Sequence, residues 1–492
     1  MWKLGKIIPV PKPGKSPSQG SSYRPITLVS PVVKVLEALM LPTLKEHLPM
    51  ADHQHGFRAG RSTTTALCEL TTAIADGLNG KRPHERTILV ALDLSKAFDT
   101  VCHTTLLRDI LESDLPPLHT RWLSNYMAGR QSYVEFRDAR SRLRKNKLGV
   151  PQGGVLSPLL FNYYISKLPS PPPGVKLVSY ADDCTILATG RSITDLEARI
   201  NGYLPILKSF FVDRNLQLSA PKSTATLFTT WTKEVSLELN INISGQTIPT
   251  TKNPKVLGVT FDNLFSFSKH VGNVTQKVKE RNKILRALTG STWGKNKETI
   301  LATYKAIGRS LIDYASPAWS PCISDTQWKN LQTVQNTALR IVTGCHAITP
   351  EDHLHQETKV LPVKNHCTLL TRQLLIKCER PDHPNHIGTR PFSTGRPRPV
   401  RSDIRRERNP VSHLANLVLD GKVKVALNSL HTDAVYDAIE HFKPTLVLGG
   451  RPPPTHASES MLTRPERTSH NSDLGTPNTL THILPVLMVT CP

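Results

Sequence analysis

The sequence predicts an α+β chain, and three observations carry the prediction. Two apolar stretches of strand length end on carboxylates, residues 87–92 before Asp93 and residues 175–179 before Tyr180-Ala181-Asp182-Asp183. Strand and helix alternate through the middle of the chain, with helical patterns at residues 31–47 and 193–214. From residue 267 to about residue 344 the apolar period becomes helical. A sheet that carries the carboxylates, with helices packed behind it, accounts for all three.

In chain order, residues 9–22 (Pro9-Val10-Pro11-Lys12-Pro13-Gly14-Lys15 and onward) form a basic, turn-rich loop, because proline removes backbone donors and glycine relieves tight turns. A helix follows at residues 31–47. The run at 87–92 ends on Asp93 and turns helical; a lone Asp there commonly caps the next helix. Residues 148–165 read as a glycine-rich turn opening into an amphipathic helix, and glycine lets backbone approach a ligand closely. Residues 175–188 form an apolar hairpin with Asp182 and Asp183 at its tip. Residues 193–214 make a helix behind that hairpin, and residues 236–248 a second hairpin around Ser244-Gly245. Within the helical stretch, Lys277, Lys279, Arg281, Lys283 and Arg286 cluster along one helix, with Trp293, Trp319 and Trp328 as core anchors between helices.

Two adjacent carboxylates between apolar strands repel each other unless a cation neutralises them. Asp-Asp also occurs in solvated turns, but Asp93 supplies a third carboxylate, and together they complete a ligand set for two Mg²⁺ ions. Such a pair, about 3.5–4 Å apart, clamps the attacking and leaving oxygens of a phosphoryl displacement. Magnesium suits the task because it keeps waters and substrate phosphates among its ligands. The formal charge of +23 over 492 residues favours a polyanionic partner. Eight cysteines without C-x-x-C spacing argue against a disulfide framework or a zinc finger and fit a reducing compartment. Cys345-His346, His353-Leu354-His355 and His366-Cys367 follow no zinc spacing and read as ordinary helix residues. No signal peptide and no run of membrane-spanning length are evident, so a soluble intracellular protein is expected.

Six motifs occur in one order: Tyr23-Arg24-Pro25-Ile26-Thr27-Leu28, His55-Gly56-Phe57-Arg58-Ala59-Gly60-Arg61-Ser62-Thr63, the Leu92 to Val101 segment, the Gly149 to Pro158 segment, Tyr180-Ala181-Asp182-Asp183 and Val256-Leu257-Gly258-Val259. In this the chain resembles the reverse transcriptases of non-LTR, LINE-type retrotransposons, particularly the jockey-like group. The resemblance implies a right-hand polymerase with fingers and palm over residues 1–262 and a helical thumb over 263–345. A helical extension at 346–388 and a largely disordered basic, proline-rich tail at 389–492 would follow. It implies RNA-directed DNA synthesis, with Asp93, Asp182 and Asp183 as catalytic carboxylates and the Leu94 carbonyl as an extra ligand to two Mg²⁺ ions, Mn²⁺ being a substitute. Phe98 is similar to the aromatic residue that excludes a 2′-hydroxyl, and Gln152 to the residue beside the incoming base. Lys6 and Arg24 fall where the family binds the triphosphate, and Lys222 matches the lysine proposed to protonate departing pyrophosphate. Lys277, Lys279, Arg281, Lys283 and Arg286 would track the phosphates of the template–primer duplex. Expected partners are an RNA template and its heteroduplex, deoxynucleoside triphosphates and target DNA, with the nucleus as the place of work; oligomeric state is left open.

The chain departs from the family at its ends. Relatives carry an endonuclease before the polymerase, whereas this sequence begins in the fingers, so nicking in cis is expected to be absent and truncation is suspected at both ends. Two readings stay open: an active RNA-directed DNA polymerase, favoured by three intact carboxylates, and a catalytically silent remnant that only binds RNA. A group II intron maturase or telomerase-like enzyme fits residues 94–98 and 56–63 less well.

Overall fold

The computed structural model describes residues 2–79, 84–290, 294–378, 380 and 383–385. The tail expected at 389–492 and Trp293 lie outside these residues.

The chain opens with an antiparallel pair, β1 (Leu4–Pro11) and β2 (Tyr23–Leu28). Pro9 and Pro11 sit in β1 beyond Ile7, where the parallel pairing with the later strand β4 (Gln131–Phe136) has ended and no donor is needed on that side. α1 (Pro31–His47) starts on a proline at its first position, where the missing N–H is an orphan in any helix. α2 (Thr63–Asn79) is buried along most of its length. β3 (Arg86–Leu92) leads through the short helix α3 (Ala97–Thr100) to α4 (His103–Leu111) and α5 (Pro117–Met127). β4 then joins β1 and carries two short partners, β5 (Ala139–Arg140) and β6 (Arg144–Lys145), on its other side.

Helix α6 (Ser157–Tyr164) precedes the hairpin β7 (Val175–Tyr180) and β8 (Asp183–Gly190). The sequence suggests an amphipathic α6, but every residue of it except Pro158 is buried. It is enclosed by α4, Phe98 and the loop at Gly56, so no face of it meets water. α7 (Ile193–Asp213), capped by Ser192, lies behind the sheet, and β9 (Thr224–Phe228) completes it.

The central sheet has the order β7-β8-β3-β9, antiparallel throughout. Alternate residues of each strand enter different cores. Ile88, Val90, Leu177, Ile186 and Leu227 face α4, α6 and α7, whereas Leu89, Val178, Leu187 and Phe228 face α2 and the C-terminal helices. With both faces apolar, hydrophobic alternation cannot set the register. The two-residue turn between Tyr180 and Asp183, which are paired, sets it instead. The hairpin expected at 236–248 reduces to the pairs Asn242–Ile243 and Gln246–Thr247, with Ser244 and Gly245 at positive φ in the turn.

The C-terminal part is helical: α8 (Ser268–Ala287), α9 (Lys297–Tyr304), the short α10 (Ser310–Asp313) and α11 (Ser316–Trp319), α12 (Asp325–Thr343), α13 (Glu351–Thr358) and α14 (Val363–Cys378). A full capping box, Ser324 with Gln327, starts α12, and Gly344 at φ 71° ends it. α14 packs on α11, and α11 on α2. Val363 and Cys367 thereby share a core with the central sheet, and buried Trp319 lies among them. Trp328 packs at the edge of the same core.

Candidate active site

Asp93 follows the last residue of β3, and Asp182 and Asp183 occupy the neighbouring β7–β8 turn, with Leu92 in register with Cys184. The three carboxylates therefore meet at one end of the sheet. A short antiparallel bridge between Leu94 and Leu218 pins Asp93: the Ser219 N–H donates to the Asp93 carbonyl at 2.9 Å and the Ser95 N–H to Gln217 at 2.9 Å. Buried Ser223 accepts the Asp93 N–H at 3.1 Å. The Leu94 carbonyl takes no part in the bridge, which leaves it available to a ligand.

Charge is concentrated here without full compensation. Oδ2 of Asp93 is buried and accepts no hydrogen bond from the described residues; the Lys222 ammonium lies 3.5 Å from it. Desolvation in the cleft, then the charges of Asp182 and Asp93, pushes the Asp183 carboxyl up to about 6. Desolvation also raises Asp182, helped by Asp93 and opposed by Arg24. Among the described residues no three or more His, Cys, Asp or Glu side chains stand close enough together to hold a metal ion.

The turn that presents Asp182 is held from behind. Residues 53–56 lie along β7: the His55 N–H donates to Ser179 at 2.8 Å and the Ser179 N–H to His53 at 2.8 Å. Between them Gln54, 2% exposed, turns its amide onto Ala181. Gln54 Oε1 accepts the N–H groups of Gly56 and Ala181, each at 2.8 Å, and Nε2 donates to the Ala181 carbonyl at 3.2 Å. Ala181 sits at φ 54°, a conformation that L residues avoid. Gly56 is required because a Cβ there would lie 2.4 Å from the Ala181 nitrogen.

Arg24, on β2, faces the carboxylates electrostatically. Lys6 does not join it; its ammonium is ion-paired with Glu135 on β4. Lys12, whose ammonium donates to the Ser21 carbonyl at 3.0 Å, is instead the β1-side lysine near Arg24, and it is pushed below its ordinary value by partial burial and then by Lys15, Arg24, Lys222 and Lys96. Phe98 is half-buried, stacked on Phe161 at 4.2 Å and edge-on to Phe57 at 6.5 Å. Gln152 bridges two elements: its amide donates to Asp99 at 2.7 Å, and its carbonyl accepts the Thr27 N–H at 2.7 Å. Gly149, at φ 81°, belongs to the same loop, where a Cβ would meet the Asp99 carbonyl at 2.8 Å. Buried Glu37 on α1 accepts from the Tyr126 hydroxyl and the Val155 N–H and so fixes the entry to α6.

The basic residues of α8 are all exposed. At 100° per residue they fall on two flanks of its buried stripe, Lys277 and Arg281 on one and Lys279, Lys283 and Arg286 on the other. Sequence reasoning missed Gln54, Lys12, Lys96 and Glu37. The available signals were a glutamine just before His55-Gly56 and a lysine three residues past Asp93.

A mixed sheet-and-helix scaffold with three aspartates on one end of its central sheet is the arrangement of the right-hand class of nucleic-acid polymerases. Residues 10–261 match the reverse transcriptase (RNA-dependent DNA polymerase) family, and the chain belongs to it. It is similar to the probable RNA-directed DNA polymerase from transposon BS of Drosophila melanogaster, 28% identical over 74% of this chain and 41% of that protein. It is likewise similar to that from the X-element, 28% identical over 82% of this chain and 44% of that protein. The RNA-directed DNA polymerase from mobile element jockey is 25% identical over 85% of this chain and 46% of its own length. The resemblance to jockey-like non-LTR elements thus holds, and the chain spans less than half the length of these relatives. Among solved structures, apo telomerase from Candida tropicalis aligns over 89% of this chain and 69% of its own, with 10% identity and a TM-score of 0.41. Among the described residues no helix is long and apolar enough to cross a membrane.

Proposed function

We propose that this chain is an RNA-directed DNA polymerase of a non-LTR element, joining deoxynucleotides to a primer 3′-hydroxyl on an RNA template by two-metal nucleotidyl transfer. The observation that carries the reading is the placement of Asp93, Asp182 and Asp183 at one end of the sheet, with a buried Asp93 oxygen that accepts no hydrogen bond from the described residues and an Asp183 carboxyl pushed up to about 6. A divalent cation would neutralise such a set, and Mg²⁺ fits because it needs only a few protein oxygens. Asp93, Asp182, Asp183 and the Leu94 carbonyl would hold the ions, which supply charge neutralisation at the reacting phosphate. Mn²⁺ would substitute.

The remaining residues work on phosphate and base. Arg24, Lys12 and Lys96 balance the triphosphate charge, which is where the cost of phosphoryl transfer gathers. Lys222, next to Asp93, delivers a proton to departing pyrophosphate. Phe98, braced on Phe161, blocks a 2′-hydroxyl, and Gln152 sets the floor under the incoming base. Residues 1–262 act as fingers and palm and 263–345 as thumb, with the two flanks of α8 along the duplex phosphates. Target DNA in the nucleus is the natural acceptor for such a product.

Primer extension on an RNA template with Mg²⁺ and deoxynucleotides, run beside Asp182→Asn, tests the proposal. Extension by the native chain alone supports it. A folded native chain that binds RNA and extends nothing would make it a silent remnant.

A further inference from the structure

The edge of the β1–β2 sheet carries a feature that the nucleotidyl-transfer reading leaves unused. Between Arg137 and Lys147 the chain places Arg137, Arg140, Arg142, Arg144, Lys145 and Lys147 against a single carboxylate, Asp138. All six cations are exposed. Among the described residues none of them has an ion pair with a carboxylate, and Glu135, cross-strand from Arg140, is taken by Lys6. Six like charges within eleven residues repel one another, and a bound polyanion would relieve that repulsion.

Aromatic rings lie between the charges. The Arg140 guanidinium covers Tyr133 at 3.8 Å and Arg137 lies over Phe136 at 5.5 Å. Phe136, 43% exposed, in turn meets Tyr23 edge-on at 5.8 Å. Guanidinium planes and ring faces alternating on an open strand pair suit unpaired bases, which stack, and a phosphate backbone, which needs point charges. A duplex hides its base faces and would use only the charges.

The patch continues toward the carboxylates. Tyr23 is in register with Pro11, next to Lys12, which is near enough to Arg24, Lys96 and Lys222 to be repelled by them, and Lys222 lies 3.5 Å from Asp93. At its other end Lys147 is two residues from Gly149, whose N–H is bonded to Val101 at 2.8 Å. A strand lying on β4–β6 thus has a basic path to the aspartates.

We infer that the β4–β6 hairpin is a binding surface for single-stranded RNA, holding unpaired template outside the active site. The inference rests on the polymerase reading for the identity of the strand, but its binding test does not depend on catalysis.

The test uses the full chain and a labelled single-stranded RNA of about 20 nucleotides, with binding followed by anisotropy across a salt series. Replacing Arg140, Arg142, Arg144 and Lys145 by Gln should weaken binding about 10-fold or more near 0.1 M salt, because each lost phosphate contact removes about 0.7 from the slope of log affinity against log salt. The set Arg140→Lys, Arg142→Lys and Arg144→Lys keeps the charges and should keep the slope. Extension of a primer on a template with a one-nucleotide overhang should be unchanged by the Gln set, which also reports correct folding, whereas a long overhang should reveal the loss. Unchanged affinity and slope in the Gln set would overturn the inference, as would a Lys set as weak as the Gln set. Equal losses with and without an overhang would overturn it too, since the hairpin would then serve the duplex. A native chain that binds RNA with the expected slope yet extends nothing would sink the polymerase reading and leave this surface standing.

Discussion

Replacing Gln54 by Leu, a side chain of similar size, should disable the site without unfolding the protein. The native amide satisfies the Ala181 and Gly56 N–H groups at 2.8 Å each and reaches the Ala181 carbonyl at 3.2 Å. Leucine leaves both buried donors unpaired, at about 1–3 kcal/mol each, or roughly 2–6 kcal/mol together. Ala181 already pays for its left-handed conformation, about 1–2 kcal/mol, so the bonds to Gln54 are what hold it there. Without them the turn relaxes and Asp182 and Asp183 leave register with Asp93. At about 1.4 kcal/mol per decade, a displaced turn worth 2 kcal/mol lowers the single-turnover extension rate by about 30-fold. Half-saturating Mg²⁺ should rise at the same time, while RNA binding and the melting temperature of distant elements change little. Gln54→Glu retains an acceptor for both N–H groups and should recover most of the rate. A Leu variant with native rate and native Mg²⁺ dependence would refute the reasoning.

Other outcomes follow from neighbouring contacts. Phe98→Ala should raise ribonucleotide incorporation in a competition assay and cost about 2–3 kcal/mol of stability, below the full Phe-to-Ala range because the ring is only half-buried; unchanged sugar selection would make Phe98 a packing residue alone. Asp183 binds a proton in the fold up to about pH 6, whereas an unfolded Asp releases it near pH 4. Between those values the folded state holds more protons, so stability falls as pH rises and the deficit persists above pH 6. Asp183→Asn should therefore melt higher than the native chain in EDTA at pH 8 and no higher at pH 4, and Mg²⁺ should raise the native melting temperature more than the variant's; equal melting at pH 8 would contradict the cause assigned to the shift. Lys12→Gln should raise the apparent KM for deoxynucleotides in steady-state extension more than Lys6→Gln does, and the reverse order would restore Lys6 to the triphosphate.

What the sequence made legible was local. Residues 31–47 form a helix with the expected bounds, and 193–214 a helix one residue shorter. The strands that end just before Asp93 and on Tyr180 stand out because carboxylates follow each apolar run. Residues whose meaning depends on distant chain were not legible. Gln54 acts on Ala181, 127 positions away, and nothing near it in the sequence announces a partner. Lys6 and Lys12 look alike in a basic segment; the β1–β4 pairing, which brings Glu135 to Lys6, separates them. α6 carries polar Ser157 and Asn162 and so looks amphipathic, yet Ser157 bonds the Pro151 carbonyl at 2.7 Å and Asn162 the Gly56 carbonyl at 2.6 Å, which lets both be buried. The cations of residues 137–147 were not legible as a surface because no apolar period frames them.

The shared core between α2, α11 and α14 has a bearing on how the chain is made. Leu67, Leu70 and Ile74 on α2 are synthesised almost 300 residues before Val363 and Cys367, with which they finally share a core. A nascent chain can finish the face of the sheet that holds α4, α6 and α7 early, but the opposite face stays open until residue 367 has cleared the ribosome. During that interval Leu89, Val178, Leu187 and Phe228 are covered only by α2 and whatever thumb has emerged, a window in which a chaperone would find purchase. A message ending shortly after α12 would leave that window permanently open, even though every residue of the aspartate site had already been translated.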